Sequence, residues 1–185
     1  MDVRTLRRSP VRWIGLLAAV AVTLIVPLGS SSAQAAAPRV GFGFHAQDVS
    51  GFPTGSVSLT GGGAFDLSTS TVHAGGGFSC THEVDQLFLA GCLQGQGVRW
   101  DTASVLPSTM FKCTGSVGEA AKPATTGTDT VVVQADFYRA GDANDESFTA
   151  QMIVSTRDIA SDIPGVQNVW VQGVGCGAAT VHFGA

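Results

Sequence analysis

From residue 39 onward the chain alternates between apolar positions and polar or glycine positions. Val40, Phe42 and Phe44 are interleaved with Gly41, Gly43 and His45, and Val57 and Leu59 with Ser56, Ser58 and Thr60. Phe65 and Leu67 resume the pattern after a glycine triplet. Phe148, Ala150, Met152 and Val154 alternate with Thr149, Gln151, Ile153 and Ser155, and Val181 and Phe183 with Thr180 and His182. Such alternation predicts half-buried strands, because successive strand side chains point to opposite faces. Residues 129–138 are strongly β-prone through Val131, Val132, Val133, Phe137 and Tyr138. No segment keeps a helical period over three turns. Residues 101–106, ended by Pro107, and 158–163, before Pro164-Gly165, read as single helical turns.

The expectation is an all-β chain of about eight to ten strands joined by Gly-rich turns. Short connections favour antiparallel neighbours. An antiparallel β-barrel is preferred to the alternative, a two-sheet β-sandwich, because closure removes exposed strand edges. The triplets Gly61-Gly62-Gly63 and Gly75-Gly76-Gly77 read as bends in strands. A phosphate-cradling loop would need a following helix, and the pattern offers none.

The first residues follow a different logic. Arg4, Arg7, Arg8 and Arg12 precede an apolar run from Trp13 to Leu28, and Ala33-Gln34-Ala35 ends the segment with a small-x-small pattern. This is the form of an export signal cleaved after Ala35, with Ala36 as the second choice. The apolar run is shorter than the roughly 20 residues of a spanning helix, and Pro27 and Gly29 break its end. The predicted organisation is a signal peptide over residues 1–35 and one all-β domain over residues 36–185, secreted from the cell.

Removing the signal changes the charge. Lys plus Arg falls from 10 to 6 and Asp plus Glu from 14 to 13, so the mature domain carries about −7. Six scattered basic residues on an acidic domain give no electrostatic footprint for nucleic acid. An anionic membrane surface should repel it, so no stable membrane insertion is expected after cleavage. All four cysteines, Cys80, Cys92, Cys113 and Cys176, fall in the mature part. An even count in an exported chain predicts two disulfides. Of the three possible pairings, Cys80–Cys92 with Cys113–Cys176 is preferred, one closing a local loop and the other tying the middle of the chain to its last strands.

Candidate chemistry is sparse. The pentapeptide Gly-x-Ser-x-Gly of serine hydrolases is absent. His45, His73, His82 and His182 lack the clustering of a zinc site. No cofactor motif occurs. Asp142, Asn144 and Glu146 alternate as oxygen ligands for Ca²⁺ often do, but the surrounding loop lacks the glycine and final glutamate of a calcium loop, and a turn accounts for them. Asp136 is the best inward-facing candidate for acid–base work, with Tyr138 on the same face and Gln134 beside it. Trp100 and Trp170 could line a pocket with them.

The blocks Gly97-Val98-Arg99-Trp100-Asp101-Thr102, Phe111-Lys112-Cys113-Thr114-Gly115 and Val169-Trp170-Val171-Gln172-Gly173-Val174-Gly175-Cys176 resemble a group of secreted actinobacterial proteins of unknown function. That resemblance implies export and a disulfide-bonded fold, and it carries no activity or catalytic residues. The expected role is a secreted, non-catalytic β-domain that binds an unknown ligand or protein or acts at the cell surface. The rival is a small barrel enzyme, an isomerase or hydrolase, with a polar lumen near Asp136 and Tyr138. N-terminal sequencing of protein from culture supernatant should read from Ala36 or Ala37. An intact Met1 on membrane-bound material would instead show an uncleaved anchor.

Overall fold

The computed structural model describes residues 39–52, 55–84, 89–139 and 148–184; the predicted signal segment lies outside them. The described residues form eleven strands and no helix. Eight antiparallel strands close a barrel in the order β1 (Val40–Gly51), β2 (Ser56–Asp66), β3 (Thr71–His82), β4 (Arg99–Leu106), β7 (Thr130–Tyr138), β8 (Phe148–Ser155), β9 (Val169–Val171) and β10 (Gly175–Gly177), with β10 returning to β1. Each strand pairs with its neighbour in the chain, apart from a hairpin of β5 (Ser108–Phe111) and β6 (Lys122–Thr125) inserted between β4 and β7. Strand β11 (Ala179–Gly184) stands outside the ring and pairs only with β1. The strand count exceeds the expected range because β10 and β11 are nearly one strand, separated at Ala178.

The barrel is preferred over the sandwich for a visible reason: β1 has partners for both its halves. Gly41 to Ala46 pair with β11, a register shift follows between Ala46 and Val49, and Ser50 and Gly51 then pair with β10. A bulge of this kind bends a strand and lets it change neighbours. Gly175 completes the joint. Its φ is +130°, and a Cβ there would lie 2.0 Å from the Ser50 carbonyl oxygen, so only glycine fits.

The period-two pattern sorts side chains as expected. Phe42, Phe44, Ala46, Leu59, Phe65, Phe78, Trp100, Val131, Val133, Ala135, Phe137, Ala150, Met152 and Val154 share one apolar interior. Phe137 stacks on Phe148 at 4.8 Å, and Phe78 meets Phe137 edge to face at 5.3 Å. An eight-stranded barrel has an interior just wide enough for side chains to fill, and this one is filled.

One local expectation is corrected and another is given its role. Residues 101–106 belong to strand β4, because Trp100 and Val105 must reach the interior while Asp101 and Ser104 face out. The glycine triplets are inside strands, as the pattern predicted. They lie within β2 and β3, where Gly61 faces Gly76 and Gly62 faces Gly75. Their role is close approach: a Cβ on Gly61 would lie 2.5 Å from the Trp100 ring.

A second apolar layer covers the outside of β7, β8 and β9. Phe111 and Ala124 of the hairpin, with Ala160, pack on Val132, Ile153 and Trp170. The Trp170 indole N–H donates to the Lys112 carbonyl at 2.8 Å. The disulfides are Cys80–Cys92 and Cys113–Cys176, the preferred pairing. The first fixes the β3–β4 connection. The second pins the hairpin layer to β10 at the joint where the ring closes. The chain-entropy model gives about 4 kcal/mol for the long loop and about 3 kcal/mol for the short one. Urea unfolding should therefore find the Cys113→Ala/Cys176→Ala double variant less stable than Cys80→Ala/Cys92→Ala. The reverse order would show that the hairpin layer contributes little to closure.

Candidate functional site

The residues proposed as a pocket do not meet. Val131, Val133, Ala135 and Phe137 occupy the barrel interior, so Asp136 and Tyr138, one position out of phase, face outward. Asp136 accepts a hydrogen bond from the Thr149 hydroxyl at 2.9 Å and lies opposite Asp101 of β4. The Arg99 guanidinium lies 4.2 Å from the centroid of the Tyr138 ring, with its Nε 3.4 Å from Asp101. Trp100 is on the other side of the wall, fully buried, with its indole N–H donating to the Thr60 carbonyl at 3.1 Å. Trp170 belongs to the outer apolar layer. The polar lumen expected near Asp136 and Tyr138 is absent from the described residues, because apolar side chains take every inward position of β7.

The weak calcium candidates Asp142, Asn144 and Glu146 lie outside the described residues. Among the described residues no three His, Cys, Asp or Glu side chains are grouped to hold a metal ion. One serine–histidine contact does exist: Ser56 Oγ is 2.8 Å from His82 Nδ1. Ser56 is buried and its hydroxyl is also engaged by Thr81 at 2.5 Å. Buried and doubly bonded, it fixes the end of the β2–β3 pair.

The open chemistry is on the outside of β11, β1, β2 and β3. Pairing places Thr180, His45, Thr60 and Gly77 in one row across these strands, and His182, Gly43, Gly62 and Gly75 in the next. Gly184, Gly41, Ala64 and His73 form a third. Grooves of about 550 Å³ lie at both ends of β11. One is lined by Arg39, Gly41, Gly43, His182 and Phe183, and the other by His45, Gln47, Asp48, Val166 and Thr180. A smaller groove of about 200 Å³ runs between His45, Ser58, Thr60, Gly77 and Ser79. None of these is lined by Trp100, Asp136, Tyr138 or Trp170. Sequence reasoning passed over His45, His73 and His182 because they are far apart in the chain. Their alternation with Phe44, Val72 and Phe183 was the available signal that they share an outer face.

Compared with protein-family models, curated proteins and solved structures, the chain matches none.

Among the described residues the strongest electrostatic feature is structural. Glu119 in the β5–β6 connection accepts hydrogen bonds from the Cys113 N–H at 2.7 Å, the Thr114 N–H at 2.8 Å and the Thr114 hydroxyl at 2.6 Å. Lys122 Nζ lies 3.0 Å from it and 3.0 Å from Asp162. Burial pushes the Glu119 carboxyl upward, but the Thr114 hydroxyl, the Cys113 amide, Lys122 and the Thr114 amide outweigh it and hold it at about 2. For Lys122, burial works against the charge, and Glu119 and Asp162 overcome that and raise it. A carboxyl held below its ordinary value stabilises the fold above that value and loses the contribution as pH falls. The window here runs from about 4.5 down to about 2. Melting temperature should therefore fall across that window in the native protein and fall less steeply in Glu119→Gln. Parallel profiles for the two proteins would remove Glu119 as the source.

Proposed function

We propose that the chain is an exported, disulfide-stabilised β-barrel that acts outside the cell or at its surface by binding, without catalysis. The observation that carries this reading is the filled interior: Trp100, Phe44, Phe78 and Phe137 occupy the space where a barrel enzyme would hold its substrate. The polar groups are consequently on the outer wall, where they are spread over a sheet. Two disulfides suit an oxidising compartment, and the N-terminal signal pattern and the resemblance to secreted actinobacterial proteins point the same way.

The contact surface in this reading is the outer face of β11, β1, β2 and β3. Gly41, Gly43 and Gly77 lie on it in ordinary extended conformations. A Cβ at each would meet nothing nearer than 3.5, 3.8 and 3.6 Å respectively. Neither backbone angle nor crowding requires glycine there, although glycine inside a strand costs roughly 0.5–1 kcal/mol relative to alanine. A bare backbone beside His45, His73 and His182 suits a partner that lies close against the sheet.

Whole producing cells and their spent medium test this. Gly43→Val should melt at the native temperature or above it and should be retained on the cells less than the native protein. A Gly43→Val protein that loses more than about 1 kcal/mol of stability would make the glycine structural. Unchanged retention of a stable variant would count against this face.

A further inference from the structure

The last strand has an open edge. Asn168 supplies the measure of it: its side-chain amide donates to the Ala179 carbonyl at 3.0 Å and its Oδ1 accepts the Ala179 N–H at 2.7 Å. Both backbone groups of Ala179 thus point away from β1. Backbone groups alternate along an antiparallel strand. Thr180, His182 and Gly184 therefore bond to His45, Gly43 and Gly41, while the N–H and C=O of Val181 and Phe183 point away like those of Ala179. Among the described residues no group takes the place of Asn168 opposite Val181 or Phe183.

Natural edges are blunted by lysine, proline or inward-pointing charge. The edge Ala179-Thr180-Val181-His182-Phe183-Gly184 has none of these. We infer that β11 pairs with β11 of a second copy of this chain, antiparallel and centred on His182, joining two barrels through one continuous sheet. This goes beyond the binding reading and does not rest on it.

The alignment is self-complementary. Centring on His182 sets Val181 opposite Phe183 of the second copy, and Phe183 opposite its Val181. All four residues present edge-facing groups, so each contact closes a reciprocal pair of hydrogen bonds. On the inner side Val181 and Phe183 are half-buried, and Phe183 stacks on Phe42 at 5.9 Å. Pairing adds a β-branched residue against an aromatic one at both contacts, a favourable cross-strand combination. The charges match as well. Arg39 lies in the groove at the Gly184 end of β11, and Asp48 in the groove at the Thr180 end. An antiparallel pair puts the Arg39 end of each copy beside the Asp48 end of the other. The backbones there are three strand spacings apart, about 14 Å. The arginine side chain narrows this toward the ~8 Å over which charges act at physiological salt. A parallel pair would set like ends together.

Protein purified from producing cells is sedimented over a concentration series at about 0.15 M salt. Native protein should shift reversibly from monomer to dimer. Val181→Pro removes an N–H that points to the open edge, where proline is tolerated, and should stay monomeric with an unchanged melting temperature. His182→Cys places two thiols across a non-hydrogen-bonded pair with Cα atoms about 4.5 Å apart, within disulfide reach. It should form a covalent dimer without reductant, and Thr180→Cys, which faces Gly184 of the second copy, should not. A native monomer at every concentration, a dimer indifferent to Val181→Pro, or equal cross-linking by the two cysteine variants would overturn the inference. If Val181→Pro fails to fold, the cysteine pair decides.

Discussion

The indole of Trp100 lying on bare backbone at Gly61 sets the shape of this molecule. A tryptophan inside an eight-stranded barrel is large for the space, and it fits because β2 and β3 give up side chains beneath it. Gly61 faces Gly76, and a Cβ on Gly76 would lie 1.9 Å from the Thr60 carbonyl oxygen. The same carbonyl accepts the indole N–H, so the one polar atom of the ring is satisfied without water. With the ring in place, Phe44 packs at 5.8 Å and the interior closes. A barrel filled this way has its open grooves on the outer wall.

Closure of the ring is the weaker half of the design. β9 and β10 are three residues each, against eight to twelve for β1, β2, β3, β4, β7 and β8. The chain reinforces that corner from outside. Cys113–Cys176 ties the hairpin layer to β10, Trp170 anchors the same layer from β9, and Glu119 holds the backbone at Cys113 and Thr114. These three fixings lie within a few residues of one another. The outer layer therefore works as a clamp on the joint. It explains why a short polar connection contains a buried carboxylate whose hydrogen bonds cost it solvation.

Much of the fold was legible because strands have a period of two. Val40 to Phe44, Phe148 to Val154 and the final Val181 and Phe183 all present the predicted faces, and the even cysteine count indicated two bridges, the observed pairing being the preferred one of three. Asp136 shows where the reading fails. Alternation says that Asp136, Gln134 and Tyr138 share a face, but it does not say which face is inside. Val131, Val133, Ala135 and Phe137 decide it, and Val132 obscured the choice by being apolar on the outer side, where the hairpin covers it. The turn expected at residues 101–106 failed similarly, since Pro107 ends a strand as readily as a helix. Asn168 left no signal at all, because its partner Ala179 is identified only by the path of the chain in space.

The two kinds of glycine on this sheet pull in different directions. Gly61, Gly62, Gly63 and Gly76 are required by packing: a Cβ at any of them would lie 2.5 Å or less from a neighbouring atom. Gly41, Gly43 and Gly77 are free of that requirement and still alternate with Phe42, Phe44 and Phe78. A β-branched residue at these outer positions would strengthen the strands. It would also raise side chains between His45, His73 and His182 and close off the backbone. The barrel therefore gives up strand stability at positions where its own packing gains nothing. That cost has a physical explanation if something outside the chain lies on the sheet.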